Sequence, residues 1–228
     1  MSDEAQNSAL AQPSSVSLVG TLSTVAMISG FLVVLVYQIT LPAITANKKE
    51  ALERAIFSLL RSGDRRENYR VGKDGLTRVE GDDGSAGRHV YAGYNDDNQF
   101  VGLAIEAAAP GYQDVVRVLY GYAPECQCIT GIYVLESKET PGLGDKVETD
   151  ESFLENFRAL DGQLNADMTV LANDIRTVKH GSKKNPWEID AISGATVTSK
   201  AIGRMLNDSA KLMFPVVQLH RAQLEERR

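Results

Sequence analysis

Cysteine and histidine are scarce in this sequence. The 228 residues include two cysteines, Cys126 and Cys128, and three histidines, His89, His180 and His220. Two cysteines cannot build a disulfide-rich scaffold, an iron–sulfur site or a multi-cysteine zinc site. The histidines lack metal-ligand spacing, so we expect no metal site. A disulfide between residues two apart would be strained, and we expect the two cysteines to be buried packing or bystanders.

The sequence also has no excess of basic residues. It holds 24 Lys+Arg against 30 Asp+Glu, a net charge of −6, with a pI near 5.2. Proteins that bind nucleic acids carry clustered positive charge that neutralises phosphates, so we expect no nucleic-acid partner. Hydrophobic residues make up 43% of the chain, which excludes wholesale disorder. The length suits one membrane anchor plus one domain, or two small domains.

Charged residues are missing from Ala5 to Asn47. Within this stretch, the 22 residues from Leu18 to Ile39 are strongly apolar. As a helix they would span about 33 Å, which matches the hydrocarbon core of a bilayer. A cleaved signal peptide is the competing interpretation, but it needs a basic segment before the apolar run. We therefore predict a tail over 1–17 and an uncleaved transmembrane helix over 18–41.

The orientation of this helix stays open. Lys48, Lys49 and Arg54 follow it, and the positive-inside rule would place the following domain in the cytoplasm. Glu50 and Glu53 lie among these basic residues, but acidic residues count little in this rule. The resemblance described below implies the opposite side.

The remainder is predicted to be an α+β domain over 48–214 with a helical C-terminal tail over 215–228. Lys48 to Arg61 has helical apolar spacing, either continuous with the membrane helix or after a break at Pro42. Ser62 to Ser85 is polar and rich in Gly and Asp, which is typical of a loop.

Strands and helices follow in the predicted domain. The strand-like segments are Phe100–Ala107, Val115–Tyr122, Cys128–Leu135 and Met168–Lys179. Short turns between the first three favour antiparallel pairing. Helical patterns cover Ser152–Leu160, with Ser152 as cap, and Thr198–Met213, which Pro215 interrupts. Strands followed by helices indicate the α+β class.

The first segment that carries chemistry follows a predicted strand. It reads Glu139, Thr140, Pro141, Gly142, Leu143 and Gly144. The proline fixes one turn residue, and the two glycines allow positive φ or close approach to a flat ligand. The pattern fits a structural turn as well as a ligand-binding loop.

The second segment runs from Asp190 to Ser199 and crowds four hydroxyl residues around Gly194. It lies directly before a predicted helix, where free N–H groups and the helix dipole favour a phosphate. A simple helix cap by Thr198 or Ser199 explains the pattern equally well. The segment lacks the spacing of a P-loop.

Together, these two segments resemble a known family. Asp190, Ser193, Gly194, Ala195 and Thr196 look like the flavinylation motif of FMN-binding domains. With the 139–144 segment before it, the chain resembles the G subunit of the bacterial Rnf electron-transport complex. The C subunit of the sodium-pumping NADH:quinone reductase is a close relative of that protein.

The resemblance implies a covalent flavin. Thr196 would be esterified to the FMN phosphate, and a separate flavin transferase would take FMN from FAD with a divalent cation. Asp190 and 193–195 would form the signal that this enzyme recognises. The 139–144 loop would lie beside the isoalloxazine ring. Val197 and Thr198 are further candidate cofactor-binding residues, and no catalytic residue is expected.

The resemblance also implies a role and a location. The chain would relay electrons within a multi-subunit translocase that contains polytopic membrane subunits and iron–sulfur subunits, without independent turnover. It would be a single-pass protein of the bacterial inner membrane, with the FMN domain in the periplasm. One alternative is the equivalent subunit of a sodium-pumping NADH:quinone reductase. The others are a membrane-tethered FMN-domain sensor or assembly protein, and a flavin-free interaction module that uses the tail from Met213 to Arg228.

Overall fold

The computed structural model describes residues 14–60, 65–72, 75–79 and 88–226. The helices are α1 (Ser15–Leu59), α2 (Lys146–Thr149), α3 (Glu151–Glu155), α4 (Thr196–Leu219) and α5 (Arg221–Glu225). The strands are β1 (Arg65–Gly72), β2 (Gly75–Val79), β3 (Arg88–Tyr94), β4 (Phe100–Pro110), β5 (Val115–Ala123), β6 (Cys128–Glu136), β7 (Leu160–Asp161), β8 (Arg176–Val178) and β9 (Glu188–Asp190).

The first helix contains a segment long and apolar enough to cross a membrane. The 45-residue helix α1 passes through Pro42 without a break, so the break considered from the sequence does not occur. The chain divides into two units, residues 1–49 and 50–228. The last turns of α1 belong to the second unit.

Seven antiparallel strands form the main sheet, in the order β2-β1-β3-β4-β5-β6-β7. A separate parallel pair joins β8 and β9. With the helices, this arrangement confirms the predicted α+β class.

Two of these strands lie where the sequence predicted a loop. β1 and β2 fall within 62–85, and residues 62–64, 73–74 and 80–85 of that range lie outside the described residues. The polar composition is misleading, because each strand places few side chains in the core. Tyr69 of β1 and Leu76 of β2 are buried there.

The sheet carries a helix on each face. Buried residues of α4, including Ile202 and Phe214, pack with Tyr120 and Tyr122 of β5 on one face. On the other face, Ala55 and Ile56 of α1 pack with Ala104 and Leu119. Tyr122 and Phe214 stack with ring centroids 3.7 Å apart.

Glycines make room for the end of α1. A Cβ added at Gly93 would lie 2.8 Å from Leu60 Cδ1, and one at Gly131 would lie 3.0 Å from Leu59 Cδ2. Larger residues at these two positions would displace the helix end from the sheet.

The C-terminal segment is part of the core rather than a separate tail. α4 continues through Pro215 to Leu219, so the predicted interruption of the helix is wrong. Proline within a helix costs about 3 kcal/mol, but Phe214 and Val217 on either side of it are fully buried. Leu224 of α5 is fully buried too. The buried side chains of Met213, Phe214, Val217 and Leu224 are therefore not available to a contact surface over 213–228.

Two further local predictions were wrong. Helix α3 covers only Glu151–Glu155, and Asp150 rather than Ser152 caps it, accepting a 3.0 Å hydrogen bond from the N–H of Phe153. The strand expected over 168–179 is limited to β8.

The two cysteines form a disulfide, contrary to the expectation of packing or bystander thiols. They flank Gln127, which has positive φ, at the start of β6. The backbone and side-chain carbonyl oxygens of Gln127 accept N–H groups of Gly162 and Leu164. The left-handed conformation of Gln127 brings the neighbouring cysteines together, which spacing alone could not show.

Candidate functional site

The start of α4 is held by its own hydroxyl residues. Gly194 adopts φ +88°, and α4 begins at Thr196. The Ser199 hydroxyl accepts a 3.2 Å hydrogen bond from the N–H of Ile192 and donates a 2.9 Å bond to the carbonyl of Ala195. Ala195 is the N-cap residue and makes no side-chain cap bond. Capping by Thr198 or Ser199, the alternative left open from sequence, is therefore not what the structure shows.

Thr196 lies exposed at this helix start. Its hydroxyl has one hydrogen bond, a long 3.4 Å contact to the carbonyl of Ile192. In the described part of the chain, no acceptor contacts the backbone N–H groups of Thr196, Val197 and Thr198. Three free N–H groups and the positive end of the helix dipole create a favourable place for an anion.

The buried carboxylate of Glu139 joins three segments of the chain. One oxygen, Oε1, accepts 3.0 Å hydrogen bonds from the N–H groups of Tyr112 and Gln113. The other, Oε2, accepts a 2.6 Å bond from the hydroxyl of Thr198. Glu139 thus fixes the β4–β5 turn and the 139–144 loop to the first turn of α4.

These hydrogen bonds also set the charge of Glu139. Burial acts to raise its pKa, but the Thr198 hydroxyl and the backbone N–H groups outweigh that effect and lower the pKa below its ordinary value. The carboxylate is therefore ionised at neutral pH, with both oxygens engaged.

Two neighbouring glycines leave space for that carboxylate. A Cβ added at Gly111 or at Gly144 would collide with the Glu139 carboxylate oxygens. The second glycine of the 139–144 loop is thus required for close packing inside the protein.

A cavity of about 340 Å³ lies between the 139–144 loop and the start of α4. Its lining residues are Tyr112, Glu139, Thr140, Leu143, Gly144, Gly194, Ala195, Thr196, Val197 and Thr198. The fold therefore brings together two segments that lie about fifty residues apart in the sequence. Of the predicted cofactor residues, Ser193, Pro141, Gly142 and Asp190 do not line this cavity.

Two glycines leave open space beside the cavity. Gly142 has φ +78° and Gly194 has φ +88°, and a Cβ at either would meet no atom within 4 Å. Their backbone is accessible to a flat ligand, and their positive φ disfavours other residues.

Tyr112 is a lining residue that the sequence analysis missed. Its side chain is 73% exposed, beside the half-exposed Leu143 and Val197. These apolar groups give the cavity a rim suited to an aromatic ring. The only sequence signal was an aromatic residue directly after the Pro110–Gly111 turn.

Asp190 faces a different neighbourhood. Its carboxylate accepts hydrogen bonds from the N–H groups of Gly181 (2.9 Å) and Ser182 (3.3 Å). Asn156 binds its backbone on both sides, because Oδ1 accepts from the N–H and Nδ2 donates to the carbonyl. Asp190 and Ser193 line a second, polar cavity of about 330 Å³. Asp190 thus anchors the strand end that leads into the 193–196 segment.

Comparison with known families agrees with this geometry. Residues 111–211 match the FMN-binding domain family. The matched range contains the 139–144 loop, the start of α4 and Tyr112, so it covers the whole cavity lining.

Several curated relatives carry one name, which describes the G subunit of an ion-translocating oxidoreductase complex. The protein of Pasteurella multocida is 37% identical over 114 residues, 50% of this chain and 52% of its own length. The protein of Methanosarcina acetivorans is 32% identical over 121 residues, 53% of this chain and 56% of its own. The chain therefore spans about half the length of the curated relatives it matches.

Two solved structures share the fold. NqrC of Shewanella oneidensis superposes with a TM-score of 0.54 at 19% identity, covering 78% of this chain and 98% of its own. The C subunit of the Na(+)-translocating NADH-quinone reductase of Parabacteroides distasonis gives 0.58 at 20% identity, covering 77% and 96%. At these identities the likeness establishes the architecture alone.

Proposed function

We propose that this chain is a membrane-anchored electron carrier of an Rnf-type ion-translocating oxidoreductase complex, with FMN esterified to the Thr196 hydroxyl. The observation that carries the proposal is the placement of Thr196. Its exposed hydroxyl lies at a helix start with free N–H groups, on the edge of a cavity lined by the 139–144 loop.

The residues present fit FMN. Free N–H groups of Thr196, Val197 and Thr198 suit the phosphate. A phosphodiester carries one negative charge, and this charge would lie at the positive end of α4. The exposed apolar rim of Tyr112, Leu143 and Val197 suits the isoalloxazine ring.

Each group of the chain has a part in this role. FMN, when bound, supplies the redox chemistry by accepting and releasing electrons. The ester to Thr196 prevents loss of the cofactor by dissociation. Glu139 holds the loop and the helix start at a constant separation through its hydrogen bonds to Thr198, Tyr112 and Gln113. The open backbone at Gly142 and Gly194 allows the ring to approach closely.

Maturation would require a flavin transferase that takes FMN from FAD. Asp190 and 193–195 would form its recognition signal. The exposure of Ser193 and Gly194 next to Thr196 supports this role for them.

The other subunits of the complex would perform the remaining steps. The sequence has no dinucleotide-binding fingerprint, so we propose that NADH is oxidised elsewhere. The apolar part of α1 from Leu18 to Ile39 holds no ionisable group apart from Tyr37, so ion transfer would belong to polytopic partners. Iron–sulfur subunits are the expected electron-transfer partners.

We place the domain on the periplasmic side of the bacterial inner membrane, although the basic residues after the apolar helix favour the cytoplasm by the positive-inside rule. The Cys126–Cys128 disulfide supports this side, because disulfides persist in oxidising compartments and are rare in the cytosol. A reporter fused after Arg228 that is active only in the periplasm would agree with this topology. A reporter active only in the cytoplasm would contradict it.

The proposal is tested by intact mass and by flavin fluorescence on a denaturing gel, using the full chain co-expressed with the flavin transferase. Wild type should fluoresce and gain the mass of one FMN less water. Thr196→Ala should remain folded and dark, whereas the exposed Thr77→Ala is the matched control and should fluoresce. Covalent FMN on the Thr196→Ala variant would overturn the assignment of Thr196 as the attachment residue.

The second candidate is the equivalent subunit of a sodium-pumping NADH:quinone reductase, whose solved C subunits share the fold of this chain. It predicts the same flavin on Thr196, so the partners that co-purify with the chain distinguish the two. A dark wild-type band despite the transferase would favour the flavin-free alternatives.

A further inference from the structure

The segment around Thr196 has a charge opposite to the rest of the chain. Residues 176–204 hold six basic and two acidic residues, a net charge of +4. The other 199 residues hold 18 basic and 28 acidic residues, a net charge of −10. The basic residues are Arg176, Lys179, Lys183, Lys184, Lys200 and Arg204. Positive charge is therefore concentrated in the sequence segment that contains the hydroxyl proposed to carry the flavin.

The acidic residues of this segment are already engaged. The buried Glu188 binds Arg176 at 2.6 Å and accepts the backbone N–H groups of Lys184 and Asn185. Asp190 accepts two backbone N–H groups, as described above. Among the described residues, no carboxylate lies within 4 Å of Lys200 or Arg204. The same holds for the described residues Lys179, Lys183 and Lys184, whereas Arg176 is paired with Glu188. Lys200 and Arg204 are the two of these unpaired cations that lie on α4.

Lys200 and Arg204 follow Thr196 by four and eight residues. Residues at this spacing lie on one face of a helix. Both line a groove of about 430 Å³ together with Ile175, Arg176, Thr177, Val197 and Asn207. Val197 lines both this groove and the cavity that is proposed to hold FMN. Any protein that reaches the Thr196 hydroxyl along this face must therefore cover Lys200.

The groove is suited to a protein surface better than to a small anion. None of its polar lining residues is buried, and Lys200 and Arg204 are exposed. Exposed cations bind a single small anion weakly, because water and salt screen the attraction. A protein interface excludes water over a larger area and uses complementary charge to orient its partner.

We propose that this basic groove is the docking surface for an acidic face of the enzyme that attaches FMN to Thr196. The inference rests on the proposed covalent flavin. In that reaction the Thr196 oxygen bonds to the phosphorus on the FMN side of FAD. The bond from that phosphorus to the AMP oxygen breaks, AMP leaves with the electron pair, and the hydroxyl proton is released.

The position of the groove favours this enzyme over an electron-transfer partner. An electron-transfer partner must approach the isoalloxazine ring, proposed to lie beside the 139–144 loop and Tyr112. The groove lies on the other side of Val197, along α4 from the attachment point. It is therefore near the site of attachment rather than near the redox ring.

The test is a flavin-attachment assay with the full chain purified in detergent without flavin, the purified transferase, FAD and magnesium. The variant Lys200→Glu/Arg204→Glu reverses the charge of the two groove cations that have no carboxylate partner among the described residues. The matched control, Arg158→Glu/Lys211→Glu, changes the net charge equally, but its side chains lie outside the groove. Covalent fluorescence is followed at varied concentrations of the chain and of FAD, at low and high salt.

The groove variant should have a KM, as the protein substrate, at least about fivefold higher than that of wild type at low salt. This difference in KM should become smaller at high salt. The KM for FAD should stay unchanged, and the control should behave as wild type. The milder Lys200→Gln/Arg204→Gln should show a smaller rise and guards against a folding defect.

An unchanged KM for the protein substrate in the groove variants would overturn the docking surface while leaving covalent FMN intact. A raised KM for FAD alone would also overturn it, because the groove would then bind the nucleotide. Failure of wild type to acquire flavin on Thr196 would overturn the proposed function, and this inference with it.

Discussion

The hydroxyl of Thr198 donates a 2.6 Å hydrogen bond to the buried carboxylate of Glu139. Glu139 is the first residue of the 139–144 loop, and Thr198 lies in the first turn of α4. Because the same carboxylate holds the N–H groups of Tyr112 and Gln113, one side chain connects the three segments that line the cavity.

Glu139→Gln should lower the stability and the flavin content of the protein. The amide replaces an ionised acceptor by a neutral group with one acceptor oxygen, which should cost about 1–2 kcal/mol of unfolding free energy. Denaturant unfolding monitored by fluorescence of Trp187, the single tryptophan, measures the change. Glu148→Gln, at an exposed position, is the control. Equal stability of the two variants would contradict a central role for Glu139.

Gly144→Ala should be damaging through Glu139, because the new methyl group would occupy the place of the carboxylate. Gly142→Ala should cost about 1 kcal/mol from its positive φ alone. A double-mutant cycle with Glu139→Ala separates the two effects. The cost of Gly144→Ala should shrink in the Glu139→Ala background, while that of Gly142→Ala should not. Equal costs in both backgrounds would show that Gly144 acts independently of Glu139.

Glu188 should contribute acid-sensitive stability. Hydrogen bonds from the Lys184 N–H and the Arg176 side chain lower its pKa to about 2, whereas an unfolded glutamate has a pKa of about 4.3. A depressed folded pKa gives stability that is present above the unfolded value and lost as pH falls toward 2. Between pH 5 and pH 2, the free energy of unfolding should therefore change less with pH for Glu188→Gln than for wild type. Other carboxylates keep some pH dependence in both proteins. An equal pH dependence of stability in the two proteins would contradict the lowered pKa of Glu188.

The Cys126–Cys128 disulfide should resist alkylation until the protein is reduced. Wild type purified without reductant should bind no maleimide, and it should bind two after reduction. Replacing both cysteines by serine should lower the free energy of unfolding by at most about 1–2 kcal/mol, because the loop that the disulfide closes is very short. Labelling of both cysteines in untreated protein would contradict the disulfide and its support for a periplasmic domain.

Local pattern was sufficient for several features of this protein. The uncharged stretch from Ala5 to Asn47 indicated the apolar helix, because length and hydropathy need no partner to be recognised. Strands β5 and β6 were predicted to within one residue and β4 to within three, since apolar runs between turn signals have one simple explanation. The two motifs pointed to flavin only through family resemblance.

Long-range contacts accounted for the rest. No local pattern could show that α4 continues through Pro215, because the burial of Phe214 and Val217 against the sheet compensates for the proline. Local pattern also missed β1 and β2, because their polar composition gave no sign that these two strands pair with each other. Tyr112, Glu139 and Thr198 meet only because the strands between them return the chain to one end of the sheet. Sequence could name the groups that form the cavity, but their meeting depends on contacts between residues far apart in the chain.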